Sequence, residues 1–385
     1  MKPAQRAQNL PALFFATLNQ KIAALQAQGA EVIRLDAGSP DLPPPAALIE
    51  RLKQSANDPG KHNYGGYAGQ PHLRQAIAHY YRERFGVELA ETELLPLIGS
   101  KEGVVNLHLA WLDPGDLSLI PDPCYPSYFF APLLANARIE RFDLRPERGW
   151  LPDLAAIPRD TAKAARMLWL NYPNNPTGAM ASLDFLAEAV DFCRRFDILL
   201  CHDAPYVDLT FDGYRAPSVL QVPGAKEVAI EFNSLSKTYN MAGWRVGMAV
   251  GCRAAVEALA SVKTQIDSGI AKPIQDMAAL ALTGDQGWLA ERNAVYQQRR
   301  DQCLAALQQL GLEAQTPRGA FYLWFRAPAG TTSLQFHELL LEQAHVSITP
   351  GHIYGRNGEG WLRLSLVAGA ERLQQALIRL KKILN

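Results

Sequence analysis

The strongest constraint on the fold is an alternation that begins at about residue 94, where short apolar runs are separated by segments of helical periodicity. The runs are LLPLI, LSLIP, MLWLNYP, ILLCHD, VAIEFNS and VGMAVG. Runs of this length between polar turns are typical of buried strands. Strands that alternate with helices predict an α/β fold, in which a mostly parallel sheet is covered by helices on both faces.

The segment SLDFLAEAVDFCRRFD illustrates the helical pattern. Its apolar residues share one helical face, and they are Phe185, Leu186, Ala189, Val190, Cys193 and Phe196. Ser182 precedes them and is predicted to cap the helix N-terminus. AALIERLKQSA (46–56) has the same periodicity, whereas the glycines of NYGGYAGQ (63–70) predict a loop.

A chain of 385 residues is longer than one ordinary core supports, so two domains are predicted. After about residue 275 the alternation loosens, and GAFYLWF, VSITPG and WLRLSLV are the predicted strands of a smaller α+β domain. We therefore expect residues 46–275 to form a large domain and 276–385 a small one, which the segment 1–45 joins.

Charge and cysteine content argue against several classes of function. Lys+Arg and Asp+Glu both number 38 and no basic run is present, which argues against a nucleic-acid partner. The five cysteines are scattered without CxxC spacing, which predicts neither a metal site nor disulfides and indicates a cytoplasmic location. No apolar run is long enough to span a membrane, and the N-terminal segment is predicted to form an amphipathic helix rather than a signal peptide.

Three polar motifs follow three of the predicted strands. NYPNNPTG follows MLWL, DAPY follows ILLCH, and NSLSK follows VAIEF. Ligands of open α/β sheets bind at the carboxyl ends of the strands, so these motifs are expected to converge on one site.

The motif SLSKTYNMAGWRVG is predicted to be an anion site with a reactive amine beside it. Ser234, Ser236 and Arg245 supply hydroxyls and a guanidinium suited to a phosphate. Lys237 lies among them and can either bind the phosphate or form a Schiff base with a carbonyl cofactor. Ser100 in LIGSKEG offers a second set of phosphate donors at a predicted helix start, although a simple capped helix has the same pattern.

Asp203 favours the cofactor interpretation of Lys237. A carboxylate at the end of a buried strand needs a cationic partner, and the pyridinium of pyridoxal phosphate (PLP) is one. Tyr206 and Asn175 could both contact the ring oxygen of that cofactor. A turn or helix cap at Asp203 and an Asn-Pro turn at Asn175 are the plainer alternatives.

Together the motifs resemble those of the class I/II aminotransferase family, which are fold type I PLP enzymes. They occur in the family's order over nearly the whole chain, and they are NYGGYAGQPHLRQAIA, LIGSKEG, PDPCYPSY, NYPNNPTG, DAPYVDLTFDG, SLSKTYNMAGWRVG and WLRLSLV. The sequences at 234–247 and 263–270 are most similar to the LL-diaminopimelate aminotransferase group. The resemblance implies a seven-stranded, mostly parallel large-domain sheet, bound PLP, and a homodimer with composite active sites.

The resemblance also implies a role for each matching residue. The implied catalytic residues are Lys237, Asp203 and Tyr206. The implied cofactor contacts are Ser100, Lys101 (through its N–H), Tyr125, Asn175, Asp203, Tyr206, Ser234, Ser236, Lys237 and Arg245, with Tyr64 reaching the phosphate of a neighbouring subunit. The implied substrate contacts are Gly38, Asn175 and Arg363.

The expected reaction moves an amino group from an L-amino acid to a 2-oxo acid, with LL-diaminopimelate and 2-oxoglutarate as the leading pair. Pro205, Cys124 and the segment AGSPDLPPP depart from the usual family pattern near the site. An alanine- or glutamate-type aminotransferase is the main alternative, followed by a PLP-dependent β-lyase. A racemase or an acyl-transferring synthase fits less well, and a DNA-binding regulator would need a further domain.

Overall fold

The computed structural model describes residues 1–8, 10 and 14–384. In these residues the strands are β1 (Ile33–Arg34), β2 (Leu94–Leu97), β3 (Leu117–Asp122), β4 (Arg138–Asp143), β5 (Ala165–Asn171), β6 (Leu199–Asp203), β7 (Ala229–Ser234), β8 (Gly247–Gly251), β9 (Tyr322–Arg326), β10 (Val346–Ser347), β11 (Thr349–Pro350) and β12 (Trp361–Ser365). The helices are α1 (Gln5–Gln8), α2 (Phe14–Ala27), α3 (Ala46–Ala56), α4 (Pro71–Phe85), α5 (Ser100–Trp111), α6 (Ser127–Leu134), α7 (Arg159–Ala164), α8 (Leu183–Phe196), α9 (Ala225–Val228), α10 (Leu235–Thr238), α11 (Arg253–Ile266), α12 (Lys272–Thr283), α13 (Gly287–Gln309), α14 (Ser333–Gln343) and α15 (Ala370–Leu384). The N-terminal helix predicted from the sequence is α2, and the part of that prediction at 11–13 lies outside the described residues.

A seven-stranded sheet with the order β2-β8-β7-β6-β5-β3-β4 forms the centre of the molecule. The five strands from β7 to β4 are parallel, and β8 runs antiparallel to both of its neighbours. All six apolar runs predicted as strands lie in this sheet. The seventh strand, β4, has the charged sequence RIERFD, which suits an exposed sheet edge but offers no apolar run to detect.

Helices cover both faces of this sheet, as the sequence predicts. Alternate residues of β5 belong to different apolar clusters: Leu168 and Leu170 join one, and Met167 and Trp169 join the other. The first cluster includes buried residues of α4, α8 and α12, and the second includes those of α5, α6 and α11. Both faces of the strand are therefore removed from water, which explains its continuous apolar sequence.

Helix α8 forms where its sequence predicts it. The Ser182 hydroxyl accepts a hydrogen bond from the backbone N–H of Phe185 at 3.2 Å, which is the predicted N-cap. The apolar face is buried against the sheet, and the helix ends at Asp197, whose φ of 56° is left-handed. The predicted helix at 46–56 is α3, and residues 63–70 form the predicted loop.

The smaller sheet lies in the C-terminal part of the chain and has the antiparallel order β11-β12-β9. The three strands predicted there are β9, β10 with β11, and β12. Their apolar cluster includes residues of α13, α14 and α15, together with Ile33 and Leu35 of the N-terminal segment. Strand β1 of that segment pairs in parallel with β10, so the N-terminal segment packs with the C-terminal part of the chain.

The division of the chain at residues 45 and 275 stays a prediction. Position 275 falls inside α12, and Met277, Ala278 and Leu282 of this helix belong to the apolar cluster of the large sheet. We therefore propose that the large domain continues to the end of α12. Within the described ranges, no helix is long and apolar enough to cross a membrane.

Candidate active site

A cavity of about 350 Å³ lies at the carboxyl ends of three neighbouring parallel strands. Asn171, Asp203 and Ser234 are the last residues of β5, β6 and β7, and all three line it. The sequence-predicted site residues that also line it are Gly38, Ser100, Lys101, Tyr125, Asn175, Tyr206, Ser236, Lys237, Arg245 and Arg363. The polar motifs therefore converge as expected from their positions after the strands.

One end of the cavity is suited to an anion. Ser100 and Lys101 form the first turn of α5, where unpaired backbone N–H groups favour negative charge. Arg245 Nη1 lies 3.4 Å from Ser236 Oγ, which adds a cation and a hydroxyl. Gly99 precedes the helix with a φ of 77°, and a Cβ at this position would clash with the Arg245 guanidinium. Glycine at position 99 thus lets the guanidinium approach the start of the helix.

Lys237 lies on α10, a single helical turn that follows directly from β7. The Ser234 hydroxyl caps this turn by accepting a hydrogen bond from the backbone N–H of Ser236 at 3.2 Å. From the other side, the buried Arg292 donates to the carbonyl oxygens of Lys237 at 2.7 Å and Thr238 at 2.5 Å. The backbone that carries the amine is therefore fixed by groups outside its own turn.

The pKa of the Lys237 amine is lowered by its surroundings. Its Nζ donates a hydrogen bond to the carbonyl oxygen of Gly38. Burial, together with the nearby guanidinium groups of Arg245 and Arg363, lowers the pKa of Lys237 to about 8. A useful fraction of this amine is then neutral near physiological pH, and both nucleophilic attack and proton removal require the neutral form.

Asp203 is a buried carboxylate, and one of its two oxygens has no hydrogen-bond partner among the described residues. Its Oδ2 accepts a hydrogen bond from Tyr128 Oη at 2.5 Å, whereas Oδ1 has no partner among the described residues. Asn171 Nδ2 donates to the Asp203 carbonyl oxygen at 2.7 Å and holds the strand end. Burial raises the pKa of Asp203 to about 6, an effect that the Tyr128 hydrogen bond opposes. Such an oxygen is suited to a cationic N–H donor of a ligand.

Arg363 is held rigidly on β12 at another wall of the cavity. Nη1 donates to Asn175 Oδ1 at 2.9 Å, and Nη2 donates to the Asp36 carbonyl oxygen at 2.9 Å. The guanidinium lies over the Tyr322 ring, 4.1 Å from the ring centroid, and its Nε is unpartnered in the part of the chain that is described. A planar, buried guanidinium of this kind is suited to a carboxylate.

Three tyrosines complete the cavity wall. Tyr206 Oη lies 3.0 Å from Tyr322 Oη, and burial raises the pKa of Tyr206 well above its ordinary value. Tyr206 therefore stays protonated and can donate a hydrogen bond. Tyr125 lines the cavity beside Tyr128. Among the departures from the family pattern, Pro205 also lines the cavity and Cys124 is buried.

Tyr64 is the predicted site residue that the fold does not bring to this cavity. It belongs to the loop at 63–70, and 84% of its surface is exposed. The loop packs near α12, where Gln275 donates to the Gly65 carbonyl oxygen at 3.0 Å. A role for Tyr64 in this site would therefore require a second subunit.

Several cavity or near-cavity residues were not assigned from the sequence, and those with polar side chains include Arg34, Asp36, Tyr128, Asn171 and Tyr322. Tyr128 stands three residues after Tyr125 in a quoted motif, but its apolar neighbours suggest a core residue. Tyr322 lies in the apolar strand FYLWF, whose sequence likewise suggests a core residue rather than a site residue. Arg34 and Asp36 alternate with Ile33 and Leu35, so period-2 alternation was an available signal for a shared polar face.

Comparison with known proteins agrees with this arrangement. The family described as "Aminotransferase class I and II" matches residues 30–380. The "LL-diaminopimelate aminotransferase" of Moorella thermoacetica is 47% identical over 386 residues, which cover 100% of this chain and 99% of that protein. The protein of the same name from Dehalococcoides mccartyi is 47% identical over 381 residues, covering 99% of this chain and 98% of that protein.

A solved structure of substrate-bound BacF from Bacillus subtilis superimposes with a TM-score of 0.95 at 35% identity, covering 99% of this chain and 97% of that one. These matches confirm the fold type I architecture and the resemblance that the motifs predict. Membership of this family implies dependence on PLP. The chain therefore belongs to the class I and II aminotransferase family.

Proposed function

We propose that the preferred amino donor of this aminotransferase is LL-diaminopimelate and that 2-oxoglutarate is the acceptor. The observation that carries the chemistry is one cavity in which a buried lysine amine, Lys237, shares the wall with Asp203, whose Oδ1 is free of partners in the described structure. The choice of donor is supported by the names of relatives that are 47% identical to this chain over almost its whole length.

The residues at the cavity suit PLP. When bound, PLP supplies an aldehyde that captures amines and a protonated ring that stabilises negative charge at the substrate α-carbon. The residues that would hold the phosphate are Ser100, Lys101, Ser234, Ser236 and Arg245. Those that would hold the ring are Asp203 at its nitrogen, Asn175 and Tyr206 at its oxygen, and Tyr125 on its face. Because Asn175 Oδ1 already accepts from Arg363, the Asn175 amide nitrogen is left to donate.

The protein groups then act on the substrate. Arg363 binds the α-carboxylate through two parallel N–H donors, which orients the α-carbon in the cavity. Lys237 Nζ removes the α-proton, since its lowered pKa of about 8 leaves enough neutral amine to act as a base. Asp203 stays ionised beside the ring and balances its positive charge. The donor leaves as a 2-oxo acid before the acceptor enters the same cavity, so we expect ping-pong kinetics.

The proposed substrate is tested with purified enzyme and a panel of amino donors, with 2-oxoglutarate as the common acceptor. A site that binds a polar distal group rejects donors that lack it, because its buried partners are left unpaired. We therefore expect kcat/KM for LL-diaminopimelate to exceed that for alanine by about a hundredfold or more. A ratio near one would contradict the donor but leave the aminotransferase activity intact.

The β-lyase alternative is tested in the same assays. A β-substituted amino acid would release ammonia and pyruvate from a lyase without consuming 2-oxoglutarate. Amino transfer instead consumes one 2-oxoglutarate for each donor molecule. Ammonia release that exceeds glutamate formation would therefore favour the lyase.

We also propose that the active unit is a homodimer in which Tyr64 reaches the phosphate of the neighbouring subunit. Two exposed tyrosines in this loop support the proposal, Tyr64 at 84% and Tyr67 at 53% exposure, because tyrosine is enriched at protein–protein interfaces. Mixing Lys237→Ala subunits with Tyr64→Phe subunits should restore part of the activity, since one of the two sites in each hybrid then has all of its residues. The control is Tyr67→Phe, an exposed tyrosine of the same loop. Full activity in a demonstrated monomer would contradict the proposal.

A further inference from the structure

An ion pair at the cavity wall has no part in the chemistry described so far. Arg34 Nε donates to Asp36 Oδ1 at 2.9 Å, and Arg34 Nη2 donates to Asp36 Oδ2 at 2.6 Å. Both residues line the cavity. The Asp36 side chain is 1% exposed, whereas that of Arg34 is 39% exposed, so the pair spans from the interior to the opening.

Apart from Lys101, which is assigned only through its backbone N–H, the other charged side chains of the cavity have assigned roles under the proposed function. Arg245 and the start of α5 would face the cofactor phosphate, and Asp203 would face the ring nitrogen. Arg363 would bind the α-carboxylate that all amino acids share. The Arg34–Asp36 pair is therefore available to bind the substrate side chain, the part that differs between amino acids.

The pair lies close to Arg363, the residue proposed to bind the substrate α-carboxylate. Asp36 accepts a hydrogen bond from Arg363 with its backbone carbonyl and from Arg34 with its carboxylate. One residue therefore bridges the two guanidinium groups, which puts them within roughly 10 Å of each other. A substrate anchored at Arg363 can reach Arg34 with a chain of a few carbons.

The pair also retains unused hydrogen-bonding capacity. An arginine has five N–H donors, and two of those on Arg34 go to Asp36. Each Asp36 oxygen accepts one hydrogen bond from Arg34 and keeps a second lone pair. Phe15 and Ala37 line the cavity nearby and offer apolar surface for methylene groups.

We infer that Arg34 and Asp36 form a subsite for the distal end of a donor that carries both a carboxylate and an ammonium group. The inference rests on the proposed function and specifies how its substrate is recognised. A distal carboxylate alone would bind Arg34 but be repelled by Asp36, and a distal ammonium alone would meet the reverse situation. A zwitterionic end satisfies both charges, so the subsite selects a diamino dicarboxylic acid over glutamate and over alanine.

Two variants of the holoenzyme test the subsite. Arg34→Gln removes the cation, and it should lower kcat/KM for LL-diaminopimelate about tenfold or more relative to alanine, because a charge-assisted hydrogen bond is lost. Asp36→Asn removes the anion, and it should reduce the preference for LL-diaminopimelate over glutamate severalfold. Arg194→Gln is the matched control, since Arg194 has a similar exposed fraction of 42% and an ion pair with Asp191 outside the cavity.

Equilibrium binding of pimelate gives a second, independent readout. Pimelate has two carboxylates and no amine, and calorimetry with heptanoate as the reference isolates the contribution of its distal carboxylate. We expect Arg34→Gln to weaken pimelate binding and Asp36→Asn to strengthen it, because the repulsive charge is gone. The two variants thus move the same affinity in opposite directions.

Equal effects on all donors and on heptanoate would overturn the subsite, since an ion pair with only a structural role alters every ligand alike. The same holds if pimelate binding is unchanged in both variants. Wild-type enzyme that does not transaminate LL-diaminopimelate would contradict the proposed function separately, and the pimelate comparison would still decide whether the subsite exists.

Discussion

Replacing Lys237 by alanine is expected to lower the rate of amino transfer by about 10⁴-fold or more, because the same amine is proposed to attach the cofactor and to move the α-proton. Burial has already shifted the pKa of Lys237 to about 8, so its neutral form is available without further change. Arg292 holds the backbone carbonyl of Lys237, so the alanine variant should lose the amine without displacing the turn that carries it.

Borohydride reduction followed by peptide mapping identifies the attachment site directly. The cofactor should be found on Lys237 in the wild-type enzyme and on no lysine in the alanine variant. Lys101 also lines the cavity, so a label on Lys101 would contradict the assignment. Lys263→Ala is the control: Lys263 is buried and paired with Glu102 and Asp267, and none of the three lines the cavity. Its loss should lower the stability of the protein and leave the label on Lys237.

Burial pattern explains which strands could be predicted from the sequence. Strands β5, β6 and β7 are almost wholly buried and therefore mostly apolar, and the buried His202 and Glu231 within them pair with each other. Strand β4 lies at the sheet edge, where all but one of its residues are exposed or partly exposed, and its arginines and glutamate give it no apolar run to recognise. The antiparallel direction of β8 could not be inferred either, because an apolar run has no direction.

The candidate site was predictable to the extent that its residues directly follow buried strands. Asp203 and Ser234 end β6 and β7, so the parallel sheet alone brings them together. Arg363 lies on β12 of the other sheet, and its position opposite Asn175 depends on how the two sheets pack. Residue spacing in the sequence does not show that Arg363 lies beside Asn175, and only the family resemblance indicated that Arg363 belongs to the site.

Tyr128 illustrates a different limit. Its ring stacks near Trp169 in an apolar cluster, as expected for a core residue, yet its hydroxyl determines which oxygen of Asp203 stays free. A sequence pattern reports the burial of the ring and not the direction of the hydroxyl. The same holds for Tyr322, which supports Arg363 with its ring face.

Replacing Asp203 by asparagine is expected to change activity and stability in opposite directions. The variant loses the negative charge proposed to hold the ring nitrogen protonated, so kcat should fall by on the order of a hundredfold to a thousandfold. Stopped-flow absorbance of the first half-reaction, with LL-diaminopimelate in excess, measures this loss without a contribution from the acceptor.

The stability effect follows from the pKa of Asp203, which burial raises from 3.8 to about 6. A raised pKa means that the folded state disfavours the ionised carboxyl, so its cost is absent below pH 3.8 and fully present above about pH 6. The cofactor-free Asp203→Asn variant should therefore unfold at a higher temperature than the wild type above pH 6, and this advantage should disappear on acidification through that range.

A matched aspartate separates this behaviour from the general effect of a buried substitution. Asp208 is also buried and accepts a hydrogen bond from a tyrosine, Tyr80, at 2.5 Å, but it pairs with Arg84 and does not line the cavity. Asp208→Asn breaks a satisfied ion pair, so it should destabilise the protein and leave the first half-reaction unchanged. If both variants were destabilised above pH 6, Asp203 would already have a cationic partner within the protein. A cationic N–H donor from the cofactor would then no longer account for its place at the end of β6.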